Sequence, residues 1–301
     1  MSLEPIVHPV FEKVTATWQY IVACPETKRA AIIDPVLDFD PSTLTLSTAS
    51  ADSLLRIVRE HNYVVDLLLE THAHADHLTA AGYLQRQLHR TQGGSAPPAT
   101  ATGHRIRGVQ ERFAAAYHVP RADLDAAFER LFADDEPFLI GRLPAVALHL
   151  PGHTPDHSGY RVGDAHVFVG DSLFLPDVGT ARCDFPDGDA ATLFGSAAAL
   201  LALPPTCRLY AGHDYPPAGS GREPRPWATV EEQRARNKHV KEGTGLEEFV
   251  RWREGRDKGL GEPRLLHPAL QTNVRGGKLA ETKTGSGVTM LSLPVKMPGN
   301  F

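Results

Sequence analysis

Short apolar runs and longer stretches with apolar residues every three or four positions alternate along the chain. TWQYIVACP (17–25) and AAIIDPV (30–36), rich in β-branched and aromatic residues, predict a strand hairpin. ADSLLRIVREH (51–61) sets Leu54, Leu55, Ile57 and Val58 at helical spacing behind Asp52, and leads into VVDLLLE (64–70), a buried strand. HLTAAGYLQRQLHR (77–90) predicts a second helix that stops near GGSAPP, with residues 91–100 as a surface connection. ERFAAAYHV and LDAAFERLF predict short helices on either side of Pro120.

AVALHL, SGYRV, HVFVG and CRLYA predict four more strands. Between the last two, DAATLFGSAAALLALPP predicts a helix ended by Pro204 and Pro205. TVEEQRARNKHV opens on a Thr-x-x-Glu capping box at Thr229 and Glu232, and LEEFVRWREGRDK predicts a further helix. No repeat or linker divides the sequence, so one α/β domain over 1–301 is expected, with a helical extension from about 228.

A length of 301 residues with 42% hydrophobic content provides for a large core. The formal charge of −5 supplies no basic field for nucleic acid. No run of eighteen apolar residues suggests a membrane span, and the N-terminal residues do not read as a leader; a cytoplasmic protein is expected. The three cysteines are odd in number and lack a C-x-x-C pair, which speaks against a disulfide framework or a thiolate zinc cluster.

The chemistry gathers in four turns, each just after an expected strand: His72, His74, Asp76 and His77 in THAHADH; His153 in PGHT; Asp171 in GDS; and His213 in GHDY. Open α/β sheets collect ligands outside the carboxyl ends of their strands, so these turns are expected to converge. Histidine with carboxylate suits zinc, iron or manganese. Glycine precedes three of the ligands, at 152, 170 and 212, where the backbone is expected to turn tightly. The plain alternative for Asp76 is a cap on a helix beginning near Leu78.

THAHADH, PGHT, GDS and GHDY, in that order, resemble the metallo-β-lactamase superfamily, which implies an αββα sandwich of two mixed sheets flanked by helices. Within it the sequence is similar to the persulfide (sulfur) dioxygenases in IDPV at 33–36, HADH, ARCDFPDGDAATLF, GHDY with TVEEQRARN, and LLHPALQTNVRGGKL. Extra residues around 37–50, 90–100 and 111–136 resemble the longer branch named β-lactamase-hydrolase-like.

The resemblance implies one Fe(II) per chain on His72, His153 and Asp171, with His74, Asp76, His77 and His213 around it or forming a second metal site. It further implies oxidation of glutathione persulfide by O2 to sulfite and glutathione, with Arg182 and Tyr215 contacting substrate. A sulfurtransferase (rhodanese) partner and a homodimer are compatible with it. The rival reading is a dinuclear zinc hydrolase of the glyoxalase II type using all seven ligand candidates, although HADHLTAAG lacks the Gly-Gly that follows the motif in those enzymes. Cys183 beside Arg182 is read as a small buried hydrophobe.

Overall fold

The computed structural model describes residues 3–93, 96–280 and 288–293. Strands β1 (Ile6–Glu12), β2 (Thr17–Ala23) and β3 (Arg29–Ile33) run antiparallel, the last two being the expected hairpin. β4 (Val36–Asp40) and β5 (Thr45–Ser47) form a small side hairpin, and α1 (Ala49–Glu60) crosses to β6 (Val64–Leu69), parallel to β3. β7 (Leu78–Thr79) pairs with β4, and α2 (Ala81–Thr91) leads to β8 (Ala99–Gly103). After α3 (Ile106–Tyr117) and α4 (Arg121–Asp125), β9 (Arg130–Phe132) completes a sheet in the order β1-β2-β3-β6-β8-β9.

The second half builds another sheet. β10 (Glu136–Ile140), β11 (Leu143–His149), β12 (Ser158–Val162) and β13 (His166–Gly170) run antiparallel, α5 (Ala190–Leu201) crosses to the parallel β14 (Arg208–Ala211), and β15 (Trp227–Thr229) lies at the edge. Helices α6 (Val230–Arg236), α7 (Leu246–Asp257) and α8 (Leu266–Asn273) follow. The capping box forms as read, with Thr229 and Glu232 each bonding the other's backbone.

Strand alternation explains the layers. Trp18, Tyr20 and Val22 face the second sheet, where they meet Phe138, Tyr160, Phe168 and Tyr210. Ile21, Ala23 and Ile32 face outward onto Leu54, Leu55, Leu84 and Leu88 of α1 and α2. Val167, Val169 and Leu209 pack beneath Leu193, Ala197 and Phe249 of α5 and α7. Both sheets are therefore covered on both faces, which gives the expected αββα order, and each large side chain fully buried contributes about 1.5–3 kcal/mol. No helix among the described residues is long and apolar enough to cross a membrane.

Three expectations change. Residues 78–79 are strand rather than helix, because Leu78 and Thr79 pair with Leu37 and Val36. The connection at 91–100 ends in β8, whose small residues ATATG slot beside β6. LDAAFERLF is helical only to Asp125, and its RLF end is β9, paired with β8.

Candidate metal centre

The four turns meet at one end of the sandwich. THAHADH follows β6 of the first sheet, whereas His153, Asp171 and His213 follow β11, β13 and β14 of the second. His72, His153 and Asp171 each place a donor atom within 4.8 Å of the others, and His74, Asp76 and His77 do the same. His153 Nε2 and His213 Nε2 both lie 3.6 Å from Asp171 Oδ2, and His213 Nε2 is 3.1 Å from Asp76 Oδ2. All seven expected ligand candidates are thus brought together.

Their free atoms fit a metal. His72 Nε2, His74 Nδ1, His77 Nε2 and Asp171 Oδ1 are buried without a hydrogen-bond partner, an arrangement that costs stability unless something positive binds there. Burial, reinforced by the surrounding imidazoles, holds His72 well below its ordinary pKa, so it keeps the lone pair that ligation needs. His153 Nδ1 donates to the Arg182 carbonyl at 2.7 Å, which leaves Nε2 as its free donor atom. No cysteine joins either cluster. A histidine and carboxylate set of this kind suits iron, zinc or manganese.

Two ligand-bearing turns need glycine for conformation. Gly152 (φ +132) and Gly170 (φ +48) take backbone shapes that side chains resist. Gly212 is required for space instead, since a Cβ there would sit 2.5 Å from Asp171 Oδ1.

Around the ligands lies a layer that the motifs did not reveal. Asp34, at φ +49 after β3, accepts the Thr71 N–H at 2.7 Å, the Thr71 hydroxyl at 2.9 Å and His74 Nε2–H at 3.1 Å. Burial alone would lower the His74 pKa, but Asp34 and Glu70 raise it well above the ordinary value, so ligation through Nδ1 has to displace a proton. Glu70 is itself pushed up to about 7 by burial. The grouping of Asp34, Glu70 and His74 reads most simply as carboxylates orienting a histidine whose Nδ1 remains free. His157 Nε2 accepts the Asp171 N–H at 2.9 Å. Asn273 of α8 donates to the carbonyls of His74 and His77 and accepts the Thr79 N–H, each at 2.8 Å.

Asp76 is not a helix cap. α2 is preceded by Ala80, without a side-chain cap, and the Asp76 carboxylate lies against His77 and His213 instead.

A cavity of about 490 Å³ opens from Asp76, His153, Asp171 and His213 toward α7. Tyr215 lines it, its ring stacked on His213 with centroids 5.7 Å apart. Arg182 also lines it, with its guanidinium forked onto Asp184 and donating to the Gly261 carbonyl at 3.0 Å. Lys238 and Arg256 add exposed positive charge and are not ion-paired among the described residues. Cys183 is buried, and burial pushes its thiol up to about 12.

The family model described as "Metallo-beta-lactamase superfamily" matches residues 13–213. Glyoxylase B2 of Dictyostelium discoideum is 40% identical over 94% of this chain and 94% of its own length. A β-lactamase hydrolase-like protein of Xylella fastidiosa is 42% identical over 97% of this chain, which spans 65% of that protein. Human mitochondrial persulfide dioxygenase ETHE1 is 28% identical over 90% of this chain and 89% of its own. Among solved structures, ETHE1 from Myxococcus xanthus aligns with a TM-score of 0.70 and 28% identity, over 91% of this chain and all of that one.

Proposed function

The chain belongs to the metallo-beta-lactamase superfamily, and from that premise we propose that it is a persulfide dioxygenase, which oxidises glutathione persulfide with O2 and water to glutathione and sulfite. The observation that carries this reading is the union of His72, His153 and Asp171, two histidines and one carboxylate with free donor atoms, with a cavity rimmed by cations. Such a triad is a donor set suited to a non-haem iron centre that would react with substrate and dioxygen. The likeness to ETHE1 proteins over nine-tenths of the chain supports the same assignment.

His72, His153 and Asp171 would hold the iron, which would supply the redox chemistry with dioxygen. The chain's own residues do the rest. The Arg182 carbonyl and the His157 ring orient His153 and Asp171, while Asp34 and Glu70 hold His74. Lys238 and Arg256 attract the carboxylates of the thiol carrier, Arg182 adds its Asp184-paired guanidinium to the same wall, and Tyr215 offers its hydroxyl there.

A dinuclear zinc thioester hydrolase is the second reading. It is favoured by the second donor cluster, His74, Asp76 and His77, and by the 40% relative named glyoxylase B2. Metal analysis combined with oxygen uptake on glutathione persulfide decides. One iron per chain with sulfite formation is expected, whereas two zinc ions per chain and no oxygen uptake would favour the hydrolase.

A further inference from the structure

We infer that His239 is a specificity-determining residue whose Nε2–H donates a hydrogen bond to a carboxylate of the thiol carrier at the α7 side of the cavity. The inference deepens the proposed function and rests on that reading for the identity of the carrier.

The ring is held by two close contacts and a hydrogen bond. Trp252 of α7 lies against it with centroids 3.8 Å apart. Gly179, at φ +101, packs so closely that a Cβ would overlap the imidazole. Thr180 N–H donates to Nδ1 at 3.0 Å. A backbone amide can only donate, so Nδ1 carries the lone pair and the proton of the neutral ring sits on Nε2. Burial, with the charges of Lys238 and Arg253, pushes the ring down to about 3, which keeps it in that neutral form.

His239 lines the cavity, and its Nε2 makes no hydrogen bond to the protein among the described residues. The surrounding charge says what it meets. Arg253 is engaged by Asp257 and the Thr180 carbonyl, and Arg182 by Asp184. Lys238 and Arg256 line the same cavity and are not so engaged among the described residues. An acceptor beside two such cations is an anion, and a carboxylate accepts from a cation and an imidazole N–H together. The cations supply attraction while the fixed ring supplies direction.

The test is titration calorimetry of the iron-loaded protein with S-methylglutathione and with its dimethyl ester, whose carboxylates are masked, alongside metal content and steady-state oxygen uptake on glutathione persulfide. His239→Phe preserves the ring contact with Trp252 without the donor. It is expected to weaken S-methylglutathione binding about tenfold or more, to change ester binding little, and to raise KM with kcat and iron content unchanged. His239→Gln, whose amide N–H reaches a similar position, is expected to restore most of the affinity. Equal loss for both ligands, no loss, or loss of iron through the 180–183 segment would overturn the inference, as would wild-type protein that binds no S-methylglutathione. Binding that depends on His239 without any oxygen uptake would refute the proposed reaction and leave this inference standing.

Discussion

Asp34 does more for the centre than its position outside the motif suggests. Its buried carboxylate fixes Thr71 through two hydrogen bonds and His74 through a third. Truncating one member of a buried charged network costs about 3–5 kcal/mol, and removing an orienting partner weakens metal binding about 10- to 100-fold. Asp34→Ala should therefore lower both the melting temperature and metal retention against a competing chelator, since Thr71 directly precedes His72; unchanged retention would show that the turn carrying His72 needs no such support. Cys183 makes the opposite case. A thiol pushed up to about 12 by burial holds almost no thiolate near neutrality, so intact-protein mass spectrometry should find Cys183 unalkylated by iodoacetamide in the native state and alkylated in urea. Rapid native labelling would reopen a redox role for it. Both residues bear on what the sequence could tell. HxHxDH, PGH, GDS and GHD were legible because each is a local turn at a strand end, whereas Asp34 acts on residues 37 and 40 positions away.

At the scale of elements, the same distinction separates the strands that could be read from those that could not. β2, β3, β6 and β13 announced themselves through apolar runs, whereas β8, central but built of the small residues ATATG, did not. β1 and β10 did not, because Pro9 and Pro137 interrupt them; both are edge strands, where a missing N–H leaves no ladder bond unmade. α8 hid for a similar reason: Pro268 stands in its first turn, where no intrahelical N–H is lost. That helix matters most through its last residue. Asn273 ties the carbonyls of His74 and His77, 199 and 196 positions away, to the same side chain that receives the Thr79 N–H. Asn273→Ala leaves those groups buried and unmatched, at a cost of about 2–4 kcal/mol. Chemical denaturation should show that loss, and metal retention should fall with it because the turn carrying His72 to His77 loses its anchor. A variant with full metal affinity and wild-type stability would mean that the turn holds its shape unaided.

Taken whole, the molecule is two covered sheets whose ligand turns come from opposite sides: His72, His74, Asp76 and His77 from the first sheet, and His153, Asp171 and His213 from the second. A bound metal therefore ties the sheets together at one end, in addition to the shared core of Tyr20, Phe138, Tyr160 and Phe168. The unpartnered buried donors on His72, His77 and Asp171 make the metal-free protein less stable at that end. Any ligand present at about a hundred times its dissociation constant adds about 2.7 kcal/mol to folding, which for a chain of this size corresponds to a melting shift of roughly 4 °C. Chelation should produce a shift of that order. Hydrogen exchange should locate it: amides in the 71–77 and 152–158 turns and around Asp171 should exchange faster, while the far end, where His8 bonds Tyr63, should keep its protection. Uniform acceleration throughout the chain would mean instead that the metal stabilises the fold globally. Unchanged protection at both ends would mean that the core alone holds the two sheets in place.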